Sequence, residues 1–199
     1  MKIGVDVDSV VCELMPTIME HISKKVGKTY TIDDVINWEM NFDGEDLYEN
    51  IVEVLNSDKI LLFPTVPLSK DCIDILSYRG SKICFITSRR SSLEENTKRW
   101  IEYNFGYYEV FHAGNGEDKN GYEIDILIDD APHHIKDFVD GGGYAILFDR
   151  PWNRDMGKYE DCSRMLRAKG WKDVLFGVSV LEELIKWDLK TKSKRLKHK

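Results

Sequence analysis

No stretch of this 199-residue chain comes near the ~20 consecutive apolar residues that a membrane-spanning helix requires; runs such as Ile60–Phe63 and Ile83–Ile86 are four residues long. The first apolar run, Ile3–Val7, is cut by Asp6 and followed by Asp8, so it lacks the unbroken core of a secretory leader. These absences predict a cytoplasmic protein with no membrane partner. Cysteine is scarce: Cys12, Cys72, Cys84 and Cys162 stand 60, 12 and 78 residues apart, with no C-x-x-C pair and no Cys/His spacing suited to zinc. Free thiols in a reducing compartment follow. Phosphate-binding glycine signatures are missing as well. There is no G-x-x-x-x-G-K-[ST], Gly114-x-Gly116 follows no Rossmann spacing, and Gly141-Gly142-Gly143 reads as the turn between a helix and a strand. P-loop and dinucleotide-binding functions are thereby excluded.

Charge is present but unevenly placed. The net value of −7 conceals a C-terminal segment, Lys190–Lys199, with six Lys or Arg and no acid; residues 1–189 carry 22 bases against 35 acids, a charge of −13. Such a body repels nucleic acid, so a polyanion-binding role would rest on the tail alone. The tail itself reads as a solvated, frayed end.

Composition, 42% hydrophobic and 32% charged, supports one ordered domain with an insertion. Short apolar runs at Lys2–Val7, Lys82–Thr87, Glu109–His112, Asp125–Ile128 and Tyr144–Phe148 are continuous rather than alternating, as expected for strands buried on both faces of a parallel sheet. Helical patterns lie between them at Leu68–Tyr78, Leu93–Asn104 and His133–Val139, ending near Gly80, Gly106 and Gly141. The alternation predicts a three-layer α/β fold. One segment breaks the rhythm. Met15–Val66 carries helix patterns at Met15–Val26 and Asp46–Leu55 but no core strand, and Pro64 and Pro67 mark its end. Placed after the first strand, it would stand over the carboxyl ends of the strands, where open α/β sheets bind ligands. The expected organisation is a core of residues 1–14 and 67–189, a small helical cap at 15–66, and the basic tail at 190–199.

Three strand ends carry polar chemistry. Asp6 and Asp8, two apart, are expected to point the same way, and like charges there need a shared cation or proton; turn or capping roles account for them equally. A second apolar strand ends in Asp129-Asp130. If the two strands are parallel neighbours, four carboxyl groups converge on one rim, an oxygen-rich site suited to Mg²⁺. Asp130 alone is also readable as the cap of the helix entered at Pro132. The third strand ends in Thr87-Ser88, suited either to phosphate oxygens or to plain N-capping.

Asp6-x-Asp8, Thr87-Ser88, a lysine and Asp129-Asp130, in that order on successive strands, resemble the haloacid dehalogenase-like (HAD) phosphatase superfamily. The Phe148-Asp149-Arg150-Pro151-Trp152-Asn153 run, with Ile126–Asp130 upstream, is similar to the 5′(3′)-deoxyribonucleotidases, and the likeness spans about Lys2 to Trp187. The resemblance implies a Rossmann-like HAD core. It also implies that Asp6 is the nucleophile forming an aspartyl-phosphate, and that Asp8 is the general acid and base. Mg²⁺ would be held by Asp6, the Asp8 carbonyl and an acid from Asp129 and Asp130. Thr87 and Ser88 would cradle the phosphoryl group. Lys119 fits as the family's lysine, with mid-helix Lys98 the alternative. Leu14 falls at an apolar pocket position, and Trp38, Met40, Phe42 and Tyr48 supply aromatic or apolar faces that either stack a nucleobase or form the cap's own core. Trp152-Asn153 either flanks the site or braces the last loop.

Two positions depart from the pattern. Ser9 stands where many relatives have glycine, so a different backbone is expected there. Arg89 replaces a common proline and is expected to bind a second anion or to face solvent. The second aspartate excludes the dehalogenase branch. The implied activity is Mg²⁺-dependent dephosphorylation of a (deoxy)nucleoside monophosphate. The alternatives are a HAD phosphatase for another small ester, such as a sugar phosphate, or a non-catalytic nucleic-acid-binding module that uses the basic tail. A homodimer is compatible with the sequence.

Overall fold

The computed structural model of the chain describes residues 1–114 and 119–196. In chain order the elements are β1 (Lys2–Val5), α1 (Met15–Val26), β2 (Asn41–Phe42), β3 (Glu45–Asp46), α2 (Leu47–Leu55) and α3 (Ser69–Tyr78). β4 (Lys82–Thr87), α4 (Glu94–Phe105), β5 (Glu109–His112), β6 (Ile126–Asp129) and α5 (Pro132–Asp140) follow, then β7 (Tyr144–Phe148), β8 (Met165–Ala168) and α6 (Trp171–Leu196). Six strands form one sheet in the order β5-β4-β1-β6-β7-β8, every pairing parallel. β1 is central. The chain winds outward from it through β4 and β5, then returns to its other side through β6, β7 and β8. This reversal of direction places a crevice at the carboxyl ends of β1 and β6.

The continuous apolar strands bury both faces. Ile126, Ile128, Ile146 and Phe148 join the core shared with α3, α4 and α6. Their neighbours Leu127, Ala145 and Leu147 face the other way and pack with Ile135 and Phe138 of α5. The result is the expected three-layer α/β architecture.

Residues 15–66 add no strand to this sheet. They form α1, α2, two 3₁₀ turns (Ile32–Asp34 and Asp58–Leu62) and the two-residue hairpin β2–β3 turning at Asp43-Gly44. α1 stops where Gly27 adopts a left-handed conformation and returns its N–H to Ser23 O, and α2 starts where Asp46 accepts the Glu49 N–H. The two ends of the segment are held side by side. Glu13 N–H donates to Pro64 O at 2.9 Å, Val66 N–H donates to Val11 O at 2.8 Å, and Cys12 bridges Thr65 antiparallel. Two buried indoles fasten this stem to the core: Trp100 Nε1 donates to Phe63 O and Trp171 Nε1 to Val10 O.

Several boundaries differ from expectation. β1 ends at Val5 rather than Val7, and β6 is shifted to include Asp129. β8 and α6 had no counterpart in the sequence reading. The basic segment is continuous with the last helix, α6, which runs to Leu196; residues 197–199 lie outside the described residues. All four cysteines are free, three of them buried, as expected. No helix among the described residues is long and apolar enough to cross a membrane.

Gly143, at the entrance to β7, is crossed by the Phe138 ring: a Cβ there would lie 2.3 Å from Cε1 and 2.6 Å from Cδ1. Gly143→Ala is expected to cost about 1–3 kcal/mol of overpacking. Thermal denaturation beside the wild type checks this, and an unchanged melting temperature refutes it.

Candidate active site

Parallel register builds the site. Val5 pairs with both Phe85 and Ile128, so the next residues along, Asp6, Ile86 and Asp129, meet at the sheet's carboxyl edge. Lys119 rises beneath them from the 3₁₀ turn Lys119–Tyr122, with its side chain wholly buried. Its ammonium donates to Asp6 Oδ1 and Asp129 Oδ2, both at 2.7 Å, and to Ile86 O at 3.2 Å. Those three acceptors match the three N–H bonds of a lysine. Lys98, the alternative, is exposed on α4 and paired with Glu94.

Asp129 is further fixed by the Ala131 N–H on Oδ1 at 2.8 Å and by His134 Nδ1, 3.1 Å from Oδ2. His134 Nε2 lies 3.5 Å from Ser88 Oγ, linking the second and third strand ends. Asp130 accepts from Trp152 Nε1 at 2.8 Å, while its carbonyl accepts from Asn153 Nδ2. Trp152 in turn lies 5.0 Å, centroid to centroid, from Trp38 of the 15–66 segment. The Trp152-Asn153 pair therefore both flanks the acids and braces the last loop.

Asp6, Asp129 and Asp130 are buried, and one oxygen from each falls within 4.8 Å of the others. Burial pushes the Asp6 carboxyl up to about 7 against the pull of Lys119, with Asp129 and Asp8 adding to the rise. Burial, with the charges of Asp6 and Asp129, drives Asp130 well above the carboxylate range. Asp129 resists the same burial and is held below that range by Lys119 and His134. Three acids face one ammonium, so protons or a further cation must balance the cluster. An oxygen-only donor set of this kind fits a hard divalent cation.

Asp8 does not join that cluster through its side chain. Strand pairing has ended, and the two aspartates do not act as one pair: Asp6 meets Lys119, whereas Asp8 meets Arg89 Nη2 at 2.6 Å and Nε at 2.9 Å. The expectation that Arg89 faces solvent is thereby overturned: the residue lines the cavity described below, and its guanidinium fork is occupied by Asp8. Ser9 has a φ of 62°, the left-handed conformation that favours glycine, and its hydroxyl is buried with no hydrogen-bond partner among the described residues. Arg150 donates to the Ser9 carbonyl through Nε at 2.8 Å and through Nη2, holding the turn in place.

A cavity of about 280 Å³ opens over these groups; Asp6, Asp8, Ser88, Arg89, Asp129 and Asp130 line it together with Leu14, Trp38, Tyr48, Ile51, Val52 and Leu55. Thr87 is buried at the end of β4, its Oγ1 accepting the Arg89 N–H at 3.2 Å, and Ser88 is the member of that pair that reaches the cavity. A larger depression of about 600 Å³ along α1, between Pro16 and Ile32, shares no residue with it. His133, His134 and Arg90 also line the cavity and escaped the sequence reading. Two imidazoles within one turn of the Asp129-Asp130 strand end were the available signal.

A parallel sheet wound in this order, with an acid–lysine cluster at its central seam, is the architecture of a HAD-type hydrolase. The chain belongs to the family described as 5′ nucleotidase, deoxy (Pyrimidine), cytosolic type C protein, whose profile matches residues 1–181. The 5′(3′)-deoxyribonucleotidases of Bacillus subtilis (strain 168) and Bacillus phage SPbeta are each 24% identical to it over 186 residues, covering 86% of this chain and 95% of the relative. The fold also superposes on a HAD family hydrolase from Deinococcus radiodurans R1, solved with bound phosphate and sodium. That match has a TM-score of 0.63 at 10% identity, over 91% of this chain and 96% of the other.

Two outcomes follow, one from the site's electrostatics and one from the backbone at Ser9. Asp6, lying above its unfolded value, stabilises the metal-free fold fully below pH ~4, and that contribution is lost as pH rises through about 7. Asp130 acts in the same direction and Asp129 in the opposite one. Millimolar Mg²⁺ should therefore raise the melting temperature more at pH 8 than at pH 5, where protons compete for the same oxygens; equal shifts at both would refute this. Ser9→Gly should raise the melting temperature by the equivalent of roughly 1 kcal/mol, relieving left-handed strain and an unpaired hydroxyl. A fall in the melting temperature would show that the hydroxyl is needed.

Proposed function

We propose that the chain is a Mg²⁺-dependent phosphomonoesterase of (deoxy)nucleoside monophosphates, acting in the cytoplasm through an aspartyl-phosphate on Asp6. The observation that carries this reading is the seating of Asp6, Asp129 and Asp130, with Lys119 beneath, directly under a cavity that apolar and aromatic side chains also line. Lys119 grips Asp6 Oδ1, which leaves Oδ2 to attack phosphorus. The P–O bond to the leaving group then breaks, and Asp8 delivers a proton to the departing alkoxide. In the second half-reaction Asp8 takes a proton from water as that water attacks the acyl-phosphate, releasing phosphate and freeing Asp6. Ser88, just past β4, would hold the phosphoryl oxygens with Thr87 packed behind it, and His134 would orient the Ser88 hydroxyl.

The Asp6, Asp129 and Asp130 carboxylates, with the Asp8 carbonyl, are the groups proposed to hold Mg²⁺, which when bound supplies charge neutralisation for a dianionic ester. The 15–66 segment is assigned the role of a substrate-selecting cap. Leu14, Trp38, Tyr48, Ile51, Val52 and Leu55 offer apolar and aromatic surface to a nucleobase, which favours nucleotides over sugar phosphates.

A panel of 5′-, 3′- and 2′-monophosphates of each base, run beside sugar phosphates with Mg²⁺ and again with EDTA, tests the reading. Nucleotides should be turned over best, and EDTA should abolish turnover. Asp6→Asn should lose all turnover while keeping the fold, whereas Asp8→Asn should lose ~10²–10⁴-fold and retain a residue of activity. Preference for sugar phosphates, EDTA-resistant turnover, or an active Asp6→Asn variant would each overturn it.

A further inference from the structure

Arg89 follows Thr87-Ser88 just past the end of β4, and its side chain is only 1% exposed. A buried guanidinium has to be compensated. Here the compensation is Asp8: Nε donates to Oδ2 and Nη2 to Oδ1, a planar fork on both oxygens of one carboxylate. The guanidinium is fastened from behind as well. Nη1 donates to Thr97 Oγ1 on α4 at 3.3 Å, and Nη2 to Cys12 Sγ at 3.6 Å. Four of the five N–H groups of an arginine are thus engaged. The Arg89 main chain is tied down too, its N–H to Thr87 Oγ1 and its carbonyl 3.2 Å from His112 Nδ1. Asp8, by contrast, lies in a turn beside the left-handed Ser9, its side chain 22% exposed.

We infer that Arg89 is the positioning residue for Asp8: a guanidinium clamp, anchored to α4 through Thr97, that sets where the Asp8 carboxylate stands relative to the leaving-group oxygen of a bound phosphate monoester. The inference rests on the proposed role of Asp8 as proton donor. Arg89 itself exchanges no proton. Each carboxylate oxygen keeps a second lone pair when the fork occupies the first, so Asp8 carries and passes its proton on the face turned away from the clamp.

Two esters separate positioning from general damage. A nucleoside monophosphate expels an alkoxide that needs a proton, whereas p-nitrophenyl phosphate expels a stable phenolate that does not. Arg89→Met should lower kcat on the nucleotide by ~10²-fold or more and on the aryl ester by less than ~10-fold. Thr97→Val, which keeps the shape but removes the acceptor behind the clamp, should shift the ratio of the two rates in the same direction by a smaller factor. In an Asp8→Asn background Arg89→Met should add no further loss on the nucleotide. Equal losses on both esters, or a further loss in the Asp8→Asn background, would overturn the clamp. If Arg89→Met does not fold, Thr97→Val decides, and an unchanged ratio of rates is then the overturning result. Wild-type inactivity on both esters would remove the proposed function and the clamp with it; wild-type activity with unchanged ratios would remove the clamp alone.

Discussion

The Lys119 ammonium ties three strands together at the point where the chain concentrates its negative charge. It bonds Asp6 after β1, Asp129 at the end of β6 and the Ile86 carbonyl on β4, all from a buried position. Two buried carboxylates on adjacent strands would otherwise repel each other in a medium that screens poorly. With the lysine between them, one is held ionised while the other remains near its switching point. The same seam is where the winding direction of the sheet reverses, so topology and electrostatics select one location. Everything nearer the cavity is arranged around that fixed pair: His134 on Asp129, Trp152 on Asp130, and the turn at Ser9 that carries Asp8 away to Arg89.

Much of this arrangement was legible in the sequence, for identifiable reasons. Strands such as Lys82–Thr87 and Tyr144–Phe148 are buried on both faces, so their composition is continuous and their limits plain. The acids at 6, 129 and 130 interrupt apolar strands, which makes them conspicuous. Lys119 was reached only through the resemblance, because no local pattern reveals a lysine that a turn carries under the sheet. β8 was missed because Met165–Ala168 is a half-buried edge strand containing Arg167, with no strand-like composition. Arg89 was misjudged because an arginine after Thr-Ser reads as a surface residue until Asp8, 81 positions earlier, is found against it. Ser9 shows the reverse case: an unfavourable residue holds a glycine conformation because Arg150 clamps its carbonyl.

The Arg150–Asn153 loop belongs to none of the three polar strand ends, yet it touches two of them, through Ser9 and through Asp130. Asn153 joins the Asp130 and Phe148 carbonyls, and Arg167 from β8 holds Asn153 from behind. Trp152 connects Asp130 to Trp38. A residue of the 15–66 segment thus lies one side chain away from an acid of the buried carboxylate cluster.

The paired stem at Cys12 and Thr65 has a consequence for how such a chain diversifies. The fifty or so residues between them leave and rejoin the core at neighbouring points, each secured by main-chain hydrogen bonds and by an indole from the core. A loop closed at its base costs only about 0.6 kcal/mol more for each doubling of its length. The stem therefore works as a socket. Segments of different length can be closed above it at little entropic cost, while the strands that carry the lysine and acids keep their own pairings below.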